Sequence, residues 1–172
     1  MKSTGVVRRI DELGRIVIPK EIRRNLGIRD GENIEIFIED NGIILKKHSM
    51  LESLINITKL LGDLTLNIMQ YKLIITDREK VVFSFDKTYI NKSISSLLIK
   101  LIDQRESMQC DDKTVLNFGT EELCGYFSIV PIISSNDSVG LVILYNDKKL
   151  GIEEINYNKL LATYIGEKLT ID

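Results

Sequence analysis

The spacing of apolar positions changes along the chain, and each change marks a new element. GVVRRI reads as a strand, DELG as a turn with Asp11 first and Gly14 last, and RIVI as a second strand. Pro19 suits the first position of a short helix, PKEIRRNLG, in which Ile22 and Leu26 lie four apart on an inward face. Gly27 suits the left-handed residue that ends such a helix. After Asp30-Gly31, the segment NIEIFIED alternates Ile34, Ile36 and Ile38 with Glu35, Phe37 and Glu39, which predicts a strand. Asn41-Gly42 is a hairpin signal leading into the strand IILKK.

The period then lengthens. Met50, Leu54, Ile57, Leu61, Leu64 and Ile68 step by alternating fours and threes, a heptad seam on a helix. A second strip of Leu51, Ile55 and Leu60 widens the apolar face, so this helix has more than one neighbour. Pairing with a second copy and capping the following sheet both satisfy the pattern. The joint lacks Gly-, Ser- or Pro-rich character and reads as stiff.

From Tyr71 the order is strand, strand, helix, three strands, helix. YKLIITD and KVVFSF form a hairpin through Arg78-Glu79, and NKSISSLLIKLIDQRES is a helix with Ile94, Leu97, Leu98, Leu101 and Ile102 on one side. TVLNF, GYFSIVPIIS and SVGLVILYND are strands, the last two joined by a loop from Ser134 to Ser138. The closing helix carries Ile152, Ile155, Leu161, Ile165 and Leu169 near helical spacing. The expected class is α+β with two domains: a small head over 1–50, a linker and dimerisation helix over 51–69, and an antiparallel sheet with helices at one face over 70–172.

Fifty residues of such short strands bury too little core alone, so two heads are expected to interleave as an obligate dimer. The 172-residue composition, 44% hydrophobic and 28% charged, is that of a folded soluble protein. No apolar run is long enough to span a bilayer, and MKSTGVVRR lacks a secretory core, so the expected compartment is the cytoplasm. Cys110 and Cys124 with the lone His48 suggest neither a metal site nor a disulfide framework, and no cofactor is expected.

Charge is distributed unevenly. Residues 1–29 hold eight Lys or Arg against three acids, a net +5 in a chain whose total is −2, so residues 30–172 carry −7. A basic head suggests a polyanionic partner, although a solvated charged face has the same composition. Arginine suits phosphate because its planar donors reach two oxygens at once and its charge does not titrate. Arg23 and Arg24, about 100° apart on the helix, both avoid the Ile22/Leu26 side.

The run R-x-x-D-x-x-G-R-I-x-I-P-x-x-I-R, from Arg8 to Arg23, resembles the swapped-hairpin DNA-binding domain of the AbrB family of bacterial transition-state regulators. The resemblance extends without a gap over about residues 3–47. It implies a domain-swapped hairpin dimer that presents Arg8, Arg15, Arg23 and Arg24 to double-stranded DNA, and by family habit to AT-rich, degenerate sites. Lys2, Arg9 and Lys20 are secondary electrostatic contributors, with an intramolecular partner such as Asp11 or Glu12 the alternative for Arg9. The phrase VPII, a polar loop, then VGLVILYND is similar to the central strands of GAF domains. Head plus GAF-like body is the arrangement of sporulation regulators in the AbrB family.

That second resemblance implies a small-molecule effector beneath a roof formed by Phe85 to Lys92 and residues 103–120. Arg105, Asp111, Asp112, Asn117 and Thr120 are the polar candidates there. The body would either sense a ligand or join two dimers into a tetramer, which adds DNA contacts by avidity. Two rival readings remain: an antitoxin-like module, since related heads occur in toxin–antitoxin pairs, and a GAF-type sulfoxide reductase using Cys124. No Lys, Arg or His adjoins Cys124 to activate its thiol, which weighs against an enzyme.

Overall fold

A computed structural model of the chain describes residues 5–31, 33–39, 42–47, 51 and 55–171. Two compact units divide it, Met1–His48 and Ser49–Asp172.

In the first unit the described elements are helix α1 (Lys20–Asn25) and the antiparallel strands β1 (Ile34–Glu39) and β2 (Gly42–Lys47). Helix α1 begins one residue after Pro19 and ends in paired reversal bonds: Gly27 N–H donates to the Arg24 carbonyl (3.2 Å) and Ile28 N–H to the Arg23 carbonyl (2.7 Å). Gly27, at φ +63°, takes the left-handed position this motif needs. Glu39 pairs with Gly42, which is the first residue of β2; residues 40 and 41 lie outside the described residues. Of the Asn41-Gly42 turn expectation, Asn41 is thus outside the described residues and Gly42 is a strand residue.

GVVRRI and RIVI are not strands here. Asp11 N–H donates to the Arg15 carbonyl (3.0 Å) and Gly14 N–H to the Asp11 carbonyl (3.0 Å), closing a three-residue turn. Among the described residues no ladder continues from it, and a strand exists only where a neighbour pairs along its length. None of the described residues in this unit is buried; Val7 is 86% and Ile38 85% exposed, and Leu26, expected inward, is exposed too.

The second unit contains helix α2 (Ile55–Leu64), a π-helical turn (Thr65–Met69), β3 (Lys72–Thr76), β4 (Val81–Ser84) and α3 (Ser96–Gln104). These are followed by β5 (Met108–Gln109), β6 (Thr114–Phe118), β7 (Glu121–Ser134), β8 (Asp137–Asn146) and α4 (Ile152–Ile171). The strands make one antiparallel sheet in the order β4-β3-β8-β7-β5, with β6 paired to the first half of β7. Strands β7 and β8 meet in a two-residue turn, Ser135-Asn136, both at positive φ, which is tighter than the expected five-residue loop.

Helices cover both faces of this sheet, not one. Leu73, Ile75, Val130, Ile132, Val142 and Leu144 pack with Leu161, Ala162, Ile165 and Leu169 of α4, and Ile57 and Leu61 of α2 join them. On the other face Ile74, Phe127, Ile129, Leu141, Ile143 and Tyr145 pack with Leu98, Leu101 and Ile102 of α3. The unbroken apolar runs FSIVPII and VGLVILY carry the signature of two-sided burial, because both sets of alternating side chains meet a helix. Leu97 (41% exposed) and Ile152 (69% exposed), expected inward, face out. Each lies at the start of its helix, off the stripe set by the later positions.

Candidate nucleic-acid interface

The turn after GVVRRI is built around one carboxylate. Asp11 accepts from the backbone N–H of Leu13 (3.0 Å) and of Arg15 (2.8 Å), and from Arg15 Nε–H (2.8 Å). Its pKa is lowered from the ordinary 3.8, first by the Arg15 backbone bond, then by the Arg15 side chain. Arg15 is therefore held by its guanidinium edge while most of its side chain stays in solvent. Of the two carboxylates that the sequence offered to Arg9, Asp11 and Glu12, the first is occupied by Arg15. Arg9 is exposed, and Arg8, also exposed, makes a long contact from Nη1 to the Val7 carbonyl (3.5 Å).

Helix α1 presents two more arginines. Arg24 and Lys20 are exposed, whereas the Arg23 side chain is only 33% exposed and its Nη1 is paired with Asp30. Arg23 Nε is buried and has no hydrogen-bond partner among the described residues. Lys47 from β2 donates to the Gly27 carbonyl (3.0 Å), tying the hairpin to the turn that ends α1. The four arginines thus fall into two kinds: Arg15 and Arg23 held by acids, Arg8 and Arg24 free of an acidic partner among the described residues. Asp30 was not legible as a partner, because it meets Arg23 only after the helix has ended and the chain has reversed. Lys2 and His48 lie outside the described residues.

Of the heptad seam, Met50 and Leu54 lie outside the described residues. Ile57 and Leu61 pack on the sheet of their own chain, and Leu64 and Ile68 (75% exposed) face solvent. Thr65, where the helix changes period, is buried; its hydroxyl donates to the Leu61 carbonyl (2.7 Å) and meets the Tyr157 hydroxyl of α4 at 2.8 Å.

The polar residues expected around an effector have other partners or face solvent. Asp111 pairs with Lys149 (3.0 Å), Thr120 donates to Glu121 (3.3 Å), Arg105 donates to the Asn136 carbonyl, and Asp112 and Asn117 are exposed. In the segment after Phe85, Tyr89 packs edge-on against Phe118 at 5.6 Å, and in the same core Phe127 stacks with Tyr145 at 6.0 Å. Burial drives the Tyr145 hydroxyl far above its ordinary pKa, so it stays neutral in that apolar layer. An open cleft of about 190 Å³ lies elsewhere, where Met108 of the edge strand faces Ile155 and Lys159 of α4. Cys110 is buried and Cys124 exposed, both as free thiols.

Comparison with known proteins covers both units. Residues 7–52 match the family described as antidote-toxin recognition MazE, bacterial antitoxin, and residues 54–170 match stage V sporulation protein T C-terminal, transcription factor. The chain is 38% identical to stage V sporulation protein T of Bacillus subtilis (strain 168) over 98% of its own length and 99% of the relative's. It is 60% identical over 48 residues to transition state regulatory protein AbrB of the same organism, covering 28% of this chain and half of that protein. A crystal structure of a methyl-accepting chemotaxis protein, residues 122 to 287, matches 70% of this chain and 92% of that one with a TM-score of 0.55 at 12% identity, a likeness of fold alone. An AbrB-type head joined to a helix-flanked antiparallel sheet, matched along nearly the whole length of a single relative, leaves one assignment: the chain belongs to the stage V sporulation protein T family.

Proposed function

We propose that the protein is a transcription regulator that grips duplex DNA through paired heads, with Arg8, Arg15, Arg23 and Arg24 on the phosphates and Lys2, Arg9 and Lys20 adding charge around them. The observation that carries this reading is the display of those arginines from one turn, the segment that leads into it and one short helix of a unit with a net +5 over residues 1–29. Transcription factor is the description of the family matched by residues 54–170, and transition state regulatory protein that of the relative matched by the head. Two copies of a small unit with exposed Val7, Ile38 and Leu13 and no buried described residue gain a core by interleaving, and GVVRRI and RIVI, which belong to no ladder among the described residues, pair across the two copies.

The body is a GAF-like module that brings two dimers together through Leu64 and Ile68, or answers a small effector. A regulator, not an enzyme, fits the family. Its place is the cytoplasm, consistent with the fact that no helix among the described residues is long and apolar enough to cross a membrane. The antitoxin description belongs to the head's family match; the folded sheet that follows the head sets this chain apart from a short toxin-wrapping tail.

Fluorescence anisotropy on an AT-rich duplex across a salt series tests the reading. Arg24→Ala is expected to weaken binding about tenfold and to reduce the slope of log affinity against log salt by about one per guanidinium removed, hence about two in a paired head. An unchanged affinity and slope would remove the α1 arginines from the interface.

A further inference from the structure

Asp30 has no place in the phosphate grip as described so far, and its charge opposes one. We infer that Asp30 is a positioning residue: it holds the Arg23 guanidinium in the orientation that meets DNA, which makes Arg23 a directed contact and leaves Arg24 a mobile charge. The inference rests on the DNA-binding reading above and deepens it.

Three observations support this. The bonds from Gly27 and Ile28 to the carbonyls of Arg24 and Arg23 reverse the chain, so Asp30 returns beside the residue seven places earlier. Lys47 of β2 donates to the Gly27 carbonyl and fixes the same reversal from the hairpin. Arg23 is two-thirds covered, with Nε buried, whereas Asp30 is 91% exposed and Arg24 is exposed. An arginine with a covered stem and one terminal nitrogen anchored has few orientations left to lose on binding, and its remaining donors keep the fork geometry that suits phosphate or a base edge. Because Asp30 is almost wholly exposed, it contributes little to the fold, and its removal tests orientation more than stability.

Two effects of opposite sign compete when the carboxylate is removed. Loss of a negative charge beside phosphates tightens binding to any duplex, whereas loss of an anchor weakens it through Arg23 alone. The experiment is a double-mutant cycle by anisotropy on the full chain with an AT-rich duplex, circular dichroism confirming that each variant is folded. Asp30→Asn is expected to weaken binding about three- to tenfold, to cause no loss in an Arg23→Ala background, where only the small tightening from the removed charge is left, and to add fully to Arg24→Ala. Asp30→Glu, which keeps the anchor, is expected to recover most of the loss. Tighter binding by Asp30→Asn, or a loss that persists without Arg23, would overturn the positioning role while leaving the DNA-binding reading intact. A wild-type chain that ignores the duplex at low salt would overturn both.

Discussion

Asp11 shows how much one side chain does in the head: three N–H donors converge on it, and two belong to Arg15. Its pKa is depressed by those bonds, so the turn gains stability that is fully present above the ordinary carboxylate value near 3.8 and is lost as pH falls through the lowered value. Amide shifts of Leu13 and Arg15 followed by NMR are therefore expected to hold steady from neutral pH to about pH 4 and to move together below it. Asp11→Asn is expected to abolish that inflection; an inflection that survives would place the titrating group elsewhere. Asp11, Gly14, Pro19 and Gly27 were legible because turn and cap chemistry depends on neighbours within a few residues. The Arg23–Asp30 pair was not, since no local rule joins a mid-helix residue to one seven places on.

At the level of elements, helix α4 lies against β7 at a distance that only glycine permits: a Cβ on Gly166 would fall 2.1 Å from the Ile133 carbonyl oxygen. The neighbour is backbone and cannot swing away, so Gly166→Ala is expected to destabilise the second unit by about 2–3 kcal/mol, seen as a lower thermal midpoint. A midpoint unchanged from wild type would mean that the helix rides farther from the sheet. Periodicity found the long helices and central strands but put Leu97 and Ile152 on the wrong side, because the first turn of a helix is less committed to the core stripe than its middle. Two-residue β5 carries no pattern of its own; it is a strand only because Met108 and Gln109 pair with Ile129 and Ser128 of β7. The change of period at Thr65–Met69 was equally hidden, since the heptad spacing runs through it unbroken and the buried Thr65–Tyr157 contact comes from far along the chain.

At the scale of the whole molecule the two units pose opposite problems. The second buries both faces of its sheet and is complete within one chain, while the first has no buried residue among those described. Native mass spectrometry of the full chain is expected to show a tetramer, and Leu64→Asp with Ile68→Asp to reduce it to a dimer that still binds DNA; a wild-type dimer would remove the body from assembly. Local chemistry written into neighbouring residues, namely turns, caps, apolar period and clustered arginines, was enough to outline the short helix and turns of the head and to suggest a polyanion, while the family of the head came from the resemblance carried by the run Arg8 to Arg23. Folding was needed to reveal that the sheet is covered on both sides, that α2 spends Ile57 and Leu61 on its own core, and that Arg23 meets Asp30 while Arg24 meets no acid among the described residues. Those facts depend on contacts that no rule between near neighbours in the chain supplies, and a one-dimensional pattern records which side chains seek burial or charge without recording which partners they meet.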